Sequence, residues 1–164
     1  DKEMTRLEIL KNSLAKKQAA FDAAFTEHAD DVKSANGQPL NDKRNGAATF
    51  KRWEKQEGKL RRLQAEIKKT EAAIEREEAK QYKVDYESQF IPQCVLDLVA
   101  KGELNQWRKH PNRFFVPGVD KARLIWDNKA KVMRYSHVQG MPEEQRPIFI
   151  EMCKRLATML KEEV

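Results

Sequence analysis

The residues best suited to binding another molecule form a basic and aromatic stretch in the second half of the chain. Between Gln106 and Phe115, the sequence contains four basic or potentially basic side chains and three aromatic ones. Arginine and lysine contact nucleic-acid phosphates, and aromatic rings stack on unpaired bases. In this stretch and the predicted strands beyond it, the cations that we assign to nucleic-acid contact are Arg108, Lys109, Arg113, Arg123, Lys131 and Arg134.

A structural role competes for the aromatic residues of the same region. A small domain needs bulky side chains in its core, and large apolar side chains are usually buried. We therefore expect most of Trp107, Phe114, Phe115 and Trp126 to be core residues.

Alternation along the predicted strands separates cations from apolar side chains. In a strand, successive side chains point to opposite faces. Arg123 and Ile125 then share one face, and Leu124 and Trp126 share the other. The sequence predicts a sheet with an apolar inner face and a basic outer face.

A second basic region lies in the first half of the chain. Residues 42–69 contain ten basic and four acidic side chains, a local net charge of +6. A basic arm of this kind can lie along a nucleic-acid backbone without reading its sequence. A solvated helical surface explains the same charges equally well. The cations that we assign to this basic arm are Lys43, Arg44, Lys51, Arg52 and Lys55.

The motifs of common enzymes are absent from the sequence. It contains no GxxxxGK[ST], GxGxxG, HExxH or GxSxG. Asp120 and Asp127, with Lys129, superficially resemble the carboxylates and lysine of a metal-dependent nuclease. However, Asp127 and Lys129 fall in a predicted tight turn, where aspartate is a common turn former. We expect a non-enzymatic protein with no catalytic residue, metal or cofactor.

Two long helical segments must position the basic arm. They are predicted at Met4–Val32 and Thr49–Tyr82, and breakers such as Asn36-Gly37 and Pro39 separate them. Apolar side chains recur near heptad spacing, which indicates a seam that needs a partner helix. The seam residues are Leu7, Leu10, Leu14, Phe21, Phe25 and His28 in the first segment, and Trp53, Leu60, Leu63, Ile67 and Ile74 in the second. Residues 1–82 are thus predicted to form an antiparallel coiled-coil hairpin.

Residues 83–164 are predicted to form a compact α-β-β-β-α unit. A helix over Ile91–Val99 and a helical turn over Leu104–Trp107 come first. Strands at 113–116, 122–126 and 131–136 then form a three-stranded antiparallel meander. A last helix begins at Pro142. Its predicted core residues are Ile148, Met152, Leu156, Met159 and Leu160. The fold class is therefore α+β and mostly helical.

The cysteine and hydropathy patterns suggest a cytoplasmic protein. Cys94 and Cys153 lack the spacing of a zinc site or disulfide scaffold, which favours buried free thiols in a reducing compartment. No apolar run approaches the length needed to cross a bilayer, and the first residues lack the apolar core of a signal peptide. We expect no membrane partner.

The net charge of +6 and the pI near 9.3 favour a polyanionic partner. We therefore expect a nucleic-acid-associated accessory protein, with DNA favoured over RNA. The alternative is a protein-interaction or inhibitor module whose hairpin binds a partner through Phe50 and Trp53, or pairs with a second copy as a homodimer. A long helical hairpin carrying a small α+β unit resembles the layout of Gam-type phage inhibitors of host nucleases. This resemblance is architectural and implies a mobile-element origin.

Overall fold

The computed structural model describes residues 3–35 and 46–163. The predicted turn that carries Lys43 and Arg44 lies outside these residues. In chain order, the described elements are α1 (Arg6–Ala35), α2 (Gly46–Ser88), α3 (Gln93–Ala100), β1 (Asn105–Gln106), β2 (Arg113–Phe115), β3 (Arg123–Asp127), β4 (Val132–Ser136) and α4 (Arg146–Glu163). The predicted mostly helical α+β class is confirmed.

The start of α1 is fixed by its own sequence. The Glu8 backbone N–H donates to Thr5 Oγ1 at 3.2 Å, and the Thr5 backbone N–H donates to Glu8 Oε2 at 3.1 Å. This reciprocal capping box satisfies two backbone donors that the first helical turn leaves without partners.

Polar contacts between α1 and α2 establish that the hairpin is antiparallel. Arg6, at the start of α1, lies 3.5 Å from the carboxylate of Glu77, which is late in α2. Asp31, near the end of α1, binds Arg52 in the second turn of α2 at 2.7 Å. The antiparallel coiled-coil arrangement predicted from the heptads is therefore confirmed.

The seam of the hairpin follows the predicted spacing in α2, with one error in α1. Half-buried or buried positions in α2 include Trp53, Leu60, Ile67 and Ile74. In α1, Phe25 is 56% exposed and Ala24 is buried. Assignment of Phe25 to the seam was wrong, because the inward positions 21, 24 and 28 leave residue 25 turned about 100° away from 24.

The chain forms two compact units whose border falls between Glu78 and Ala79, within α2. This helix continues to Ser88, six residues beyond the predicted end at Tyr82. The weakening of the heptad pattern after Tyr82 therefore marks the end of the seam and not the end of the helix.

The second unit contains a four-stranded antiparallel sheet in the order β1-β2-β3-β4. Phe114 pairs with Leu124, and Arg113 and Phe115 pair with Ile125 and Arg123. The predicted meander of three strands is present, with β1 as a short additional strand at one edge. The predicted helical turn at Leu104–Trp107 is wrong because Gln106 pairs with Phe114 in this sheet.

One hydrophobic core joins this sheet to α3 and α4. Its most enclosed side chains include Val95, Leu98, Phe114, Leu124 and Leu156, all less than 3% exposed. Trp126 also belongs to the core, and its indole N–H donates to the Phe90 carbonyl at 2.8 Å. Cys94 and Cys153 are free thiols, as predicted. Both are half-buried, whereas the sequence predicted that they are buried.

Helix α4 begins four residues later than predicted and turns a different residue inward. Gln145 closes a turn onto Pro142, and its side-chain amide binds Asp120, so Pro142 lies before the helix. Ile148 is 43% exposed, whereas Phe149 is 5% exposed. Assignment of Ile148 to the core was wrong. Met152 and Leu156 are buried as predicted, and Phe149 lies about one turn before Met152 and about two turns before Leu156 on the same face.

Alanine substitutions in α4 distinguish the observed core face from the predicted one. Phe149→Ala should lower the free energy of unfolding by about 3–5 kcal/mol, because it empties a filled core site. Ile148→Ala, at an exposed position on the same helical turn, should cost about 1 kcal/mol or less. Urea unfolding followed by circular dichroism measures both. A larger loss for Ile148→Ala would contradict the packing described here.

Candidate nucleic-acid interface

The two faces of the sheet differ in chemistry, as the alternation in β3 predicts. Leu124 and Trp126 are buried on the core side, and Arg123 and Ile125 lie half-buried on the outer side. In the neighbouring strand β2, Phe114 points to the core, which leaves Arg113 and Phe115 on the outer side. The registry places Phe115 directly opposite Arg123.

The outer face gathers two arginines around two aromatic rings. The Arg123 guanidinium carbon lies 5.2 Å from the centre of the Phe115 ring and 5.5 Å from that of Trp107. The Arg113 guanidinium carbon lies 5.9 Å from the Trp107 ring centre, and the His110 ring lies 4.8 Å from it. We call these five residues the Trp107 cluster. Cation–π contact with the rings holds the guanidinium groups in place.

The two arginines of the Trp107 cluster have few polar partners in the described part of the chain. Among residues 3–35 and 46–163, neither Arg113 nor Arg123 forms an ion pair. Arg113 Nε is buried and has no hydrogen-bond partner within the same ranges. The nearest polar contact of Arg123 is a long one, 3.4 Å from Nε to the Lys121 carbonyl. Both side chains therefore remain able to bind an anion.

More cations than carboxylates surround His110 in the Trp107 cluster. Its pKa is lowered first by burial and then by the charges of Arg113, Lys83 and Lys109, with Glu87 opposing them more weakly. Lys83 is fixed in this group because its ammonium donates to the Lys109 carbonyl at 2.9 Å. Removal of a proton from His110 relieves repulsion by these cations.

Other cations that we assigned to this interface lie in different settings. Arg134 follows on β4, on the outer face opposite Ile125, and pairs with Asp127 at 2.9 Å. Lys131 binds Asn128 at the β3–β4 turn and lines a cavity on the α4 side of the sheet, away from the Trp107 cluster. Arg108 and Lys109 are exposed in the loop between β1 and β2.

The basic arm is only partly free. Lys51 and Lys55 are exposed, but Arg52 donates to both carboxylate oxygens of Asp31, at 2.7 and 2.9 Å. This two-point ion pair holds the Arg52 side chain against α1. Of the five assigned arm cations, Lys43 and Arg44 lie outside the described residues, so the structure describes two unpaired members.

The two aromatic residues assigned to a protein partner differ in accessibility. Phe50 is 43% exposed, and its ring meets the Trp53 ring edge-on at 5.8 Å. Trp53 is half-buried in the hairpin, with its indole nitrogen buried and without a hydrogen-bond partner among the described residues. The indole is close enough to help lower the pKa of Asp31, although its geometry is not that of a hydrogen bond.

The nuclease-like residues occupy structural positions. Asp127 Oδ1 accepts from the backbone N–H groups of Lys129 and Ala130 at 3.0 and 3.1 Å, which makes it the predicted turn former. Its other oxygen binds Arg134. In residues 3–35 and 46–163, no three His, Cys, Asp or Glu side chains are grouped as metal ligands.

Sequence reasoning missed two parts of the interface. Most of the four aromatic residues were expected in the core, but only Phe114 and Trp126 are buried. The pairing of Phe114 with Leu124 places Phe115 on the outer face. Alternation from an inward Phe114 is the signal that could have shown this. Lys83 is distant in sequence, and only the fold brings it to Lys109.

Comparison with models of known families, with curated proteins and with solved structures found no match. The mobile-element origin suggested by the layout therefore stays a prediction. None of the helices within 3–35 and 46–163 combines the length and apolar character required to cross a membrane.

The Asp31–Arg52 pair makes hairpin stability depend on pH in a defined direction. Hydrogen bonds from Arg52, first among the causes, lower the Asp31 pKa from 3.8 to about 2. The ionised form therefore stabilises the fold above the ordinary pKa, and this contribution is lost as pH falls towards the folded pKa.

Asp31→Asn should lower the melting temperature at neutral pH, because Arg52 loses a charged partner. The difference from the unaltered protein should shrink as pH falls from about 4 to about 2, where Asp31 itself becomes protonated. Thermal melts at several pH values measure it. The control is Glu54→Gln, which also removes one negative charge, but from an exposed residue of α2. A difference that does not vary with pH would contradict this assignment.

Proposed function

We propose that this protein is a non-enzymatic nucleic-acid-binding protein whose main contact is the Trp107 cluster. The observation that carries the proposal is the placement of Arg113 and Arg123 against aromatic rings without any carboxylate partner in the described chain. Guanidinium groups bind phosphate through paired hydrogen bonds, and a planar guanidinium or ring can stack on a base.

Restraint of the arginines before binding favours this role over general basicity. A flexible lysine loses side-chain entropy when it meets a phosphate, whereas a stacked arginine has lost part of that freedom already. Half-exposed Trp107 and Phe115 lie beside these cations and can accept an unpaired base. We therefore propose single-stranded nucleic acid as the preferred form, with DNA ahead of RNA.

The exposed lysines of the basic arm would add a second, sequence-independent contact. Lys51 and Lys55 lie about one turn apart on α2, and residues at this spacing share one face of a helix. Both side chains could therefore contact the same nucleic-acid backbone. Arg52 would contribute little, since binding a phosphate would require it to leave Asp31.

Arg123→Gln should weaken binding to labelled oligodeoxythymidine by about tenfold, the effect of losing about 1.4 kcal/mol. The slope of log affinity against log salt should fall by about 0.7, the value for one phosphate contact with a single strand. Fluorescence anisotropy between about 50 and 200 mM salt measures both, with the duplex and the RNA strand as competitors.

Lys101→Gln is the matched control, because it removes one charge from an exposed residue at the end of α3. It should leave affinity within about twofold, as expected for a surface charge outside the contact. Equal losses in Arg123→Gln and Lys101→Gln would mean that binding reflects net charge alone. Lys51→Gln with Lys55→Gln tests the arm, where two phosphate contacts would lower the slope by about 1.4.

His110 provides a test that requires no substitution. Its pKa should rise when oligodeoxythymidine binds, because phosphate charge offsets the repulsion from Arg113, Lys83 and Lys109. NMR titration of the ring protons with and without the oligonucleotide measures the change. An unchanged His110 pKa at saturation would place the binding site elsewhere and exclude the Trp107 cluster.

A protein partner for the hairpin is the second candidate, and exposed aromatic side chains favour it. Phe25 and Phe50 are 56% and 43% exposed, and both lie on the helices that form the seam. Exposed aromatic residues on a rigid helix are frequent anchors of protein interfaces.

Phe50→Ala should then weaken capture of a specific partner by about 2 kcal/mol, the loss typical of an interface anchor. Isolation from extract on immobilised protein, followed by titration of the purified partner, measures this loss. Lys51→Gln is the neighbouring control and should have a smaller effect under this hypothesis. The opposite order would favour phosphate contact by the arm.

A further inference from the structure

A continuous groove runs between β4 and α4, on the side of the sheet opposite the Trp107 cluster. It consists of two adjoining cavities of about 590 and 460 Å³. Both are bordered by Tyr135, Cys153 and Ala157. Tyr135 remains 63% exposed although its ring meets that of Phe149 edge-on at 6.4 Å. We call this surface the β4–α4 groove.

The charged side chains that line the two cavities of the β4–α4 groove, within the described residues, are all cations. Two cations border each cavity, Lys131 and Lys161 in one and Arg146 and Lys154 in the other. No Asp or Glu is among the described residues that line either cavity. An apolar floor with a basic rim suits a ligand that carries both apolar and acidic groups.

The open edge of the sheet specifies the shape of that ligand. Within the described residues, β4 pairs with β3 alone, so its other side presents backbone donors and acceptors. An extended chain can pair with such an edge and direct every second side chain into an adjacent groove. The five residues of β4 span about 17 Å, enough for a short peptide strand.

Electrostatics disfavour a second copy of this chain as the occupant. If two β4 edges paired in antiparallel fashion, the two β3–β4 segments would come together, and each carries Lys129, Lys131 and Arg134. Of these three cations, Arg134 alone has an acidic partner within the described residues, Asp127. Like charges across an edge oppose pairing. An acidic strand meets the same edge with favourable charge.

We propose that the β4–α4 groove binds an extended segment of a partner protein that has apolar residues at its centre and acidic residues at both ends, where the two pairs of cations lie. The segment adds a strand to β4, places its apolar side chains over Tyr135 and Ala157, and directs its carboxylates to the basic rim. This site is separate from the Trp107 cluster, so it stands whether or not that cluster binds nucleic acid.

The direct test uses the intact protein and a fluorescein-labelled peptide, blocked at both ends, that has two glutamates on each side of four valines. We call it the Val-Glu peptide, and the Val-Lys peptide has lysine in place of each glutamate. Saturable binding by anisotropy is expected, and the Val-Lys peptide of equal length should bind at least tenfold more weakly, about 1.4 kcal/mol. Lys154→Glu combined with Lys161→Glu should weaken the Val-Glu peptide by about tenfold. Equal affinity for the two peptides would overturn the proposal.

Exposed lysines elsewhere provide the control for charge. Lys101→Glu with Lys121→Glu makes the same change in net charge outside the groove and should alter affinity by less than about twofold. Methylation of alternate peptide nitrogens tests strand addition: blocking the set that faces β4 should abolish binding, and blocking the other set should not. If methylation of neither set of peptide nitrogens weakens binding, the proposed pairing with β4 is wrong.

The two cysteines report where the peptide lies. Cys153 borders both cavities, whereas Cys94 borders neither. Saturating Val-Glu peptide should slow alkylation of Cys153 by iodoacetamide at alkaline pH and leave Cys94 unchanged, as measured by mass spectrometry. Unchanged alkylation of Cys153 would overturn the assigned site.

Two competing occupants would also be revealed. Displacement of the peptide by oligodeoxythymidine in the Arg123→Gln variant would mean that the groove prefers nucleic acid. A dimer in sedimentation equilibrium that the peptide converts to monomer would assign the β4 edge to a second copy. Either result would overturn the proposal.

Discussion

The registry between β2 and β3 determines the surfaces of the second unit. Phe114 and Leu124 meet in the core, and this pairing forces Phe115 and Arg123 to meet on the other face. A slip of one residue would bury the arginine and expose the phenylalanine, reversing every side chain of the strand. Since both core residues are 2% exposed or less, the hydrophobic core itself holds the cations of the outer face in place.

Much of this arrangement follows from local sequence. Heptad spacing predicted the α2 seam, and strand alternation predicted the inner and outer faces of β3. Failures arose where neighbouring positions compete for burial. Ala24 is buried instead of Phe25, and Phe149 is buried instead of Ile148. Helix periodicity predicts which face is buried only to within about one residue. The association of Lys83 with His110 depends on distant segments, which no local pattern encodes.

The arginines of the two basic regions have different partners, and this difference affects whether they can bind a ligand. In the hairpin, Arg52 is neutralised by Asp31 and contributes to holding α1 and α2 together. In the sheet, Arg113 and Arg123 are held by rings, which restrain position without cancelling charge. The number of cations in a region therefore does not by itself determine how much positive charge the region presents to a ligand.

Within the described chain, the lack of an ion pair at Arg113 and Arg123 does not follow from a shortage of acidic residues in the second unit. Asp127 pairs with Arg134, Glu103 pairs with Arg155, and Asp120 binds Gln145. A buried nitrogen without a partner, such as Arg113 Nε, costs about 1–3 kcal/mol. If Arg113 had only a structural role, an acidic partner would stabilise the fold. If Arg113 binds an external anion, an acidic partner would compete with that anion and lower its affinity. The lack of pairing thus opposes stability and favours anion binding, which is why the charge of the sheet, more than that of the hairpin, supports a nucleic-acid role.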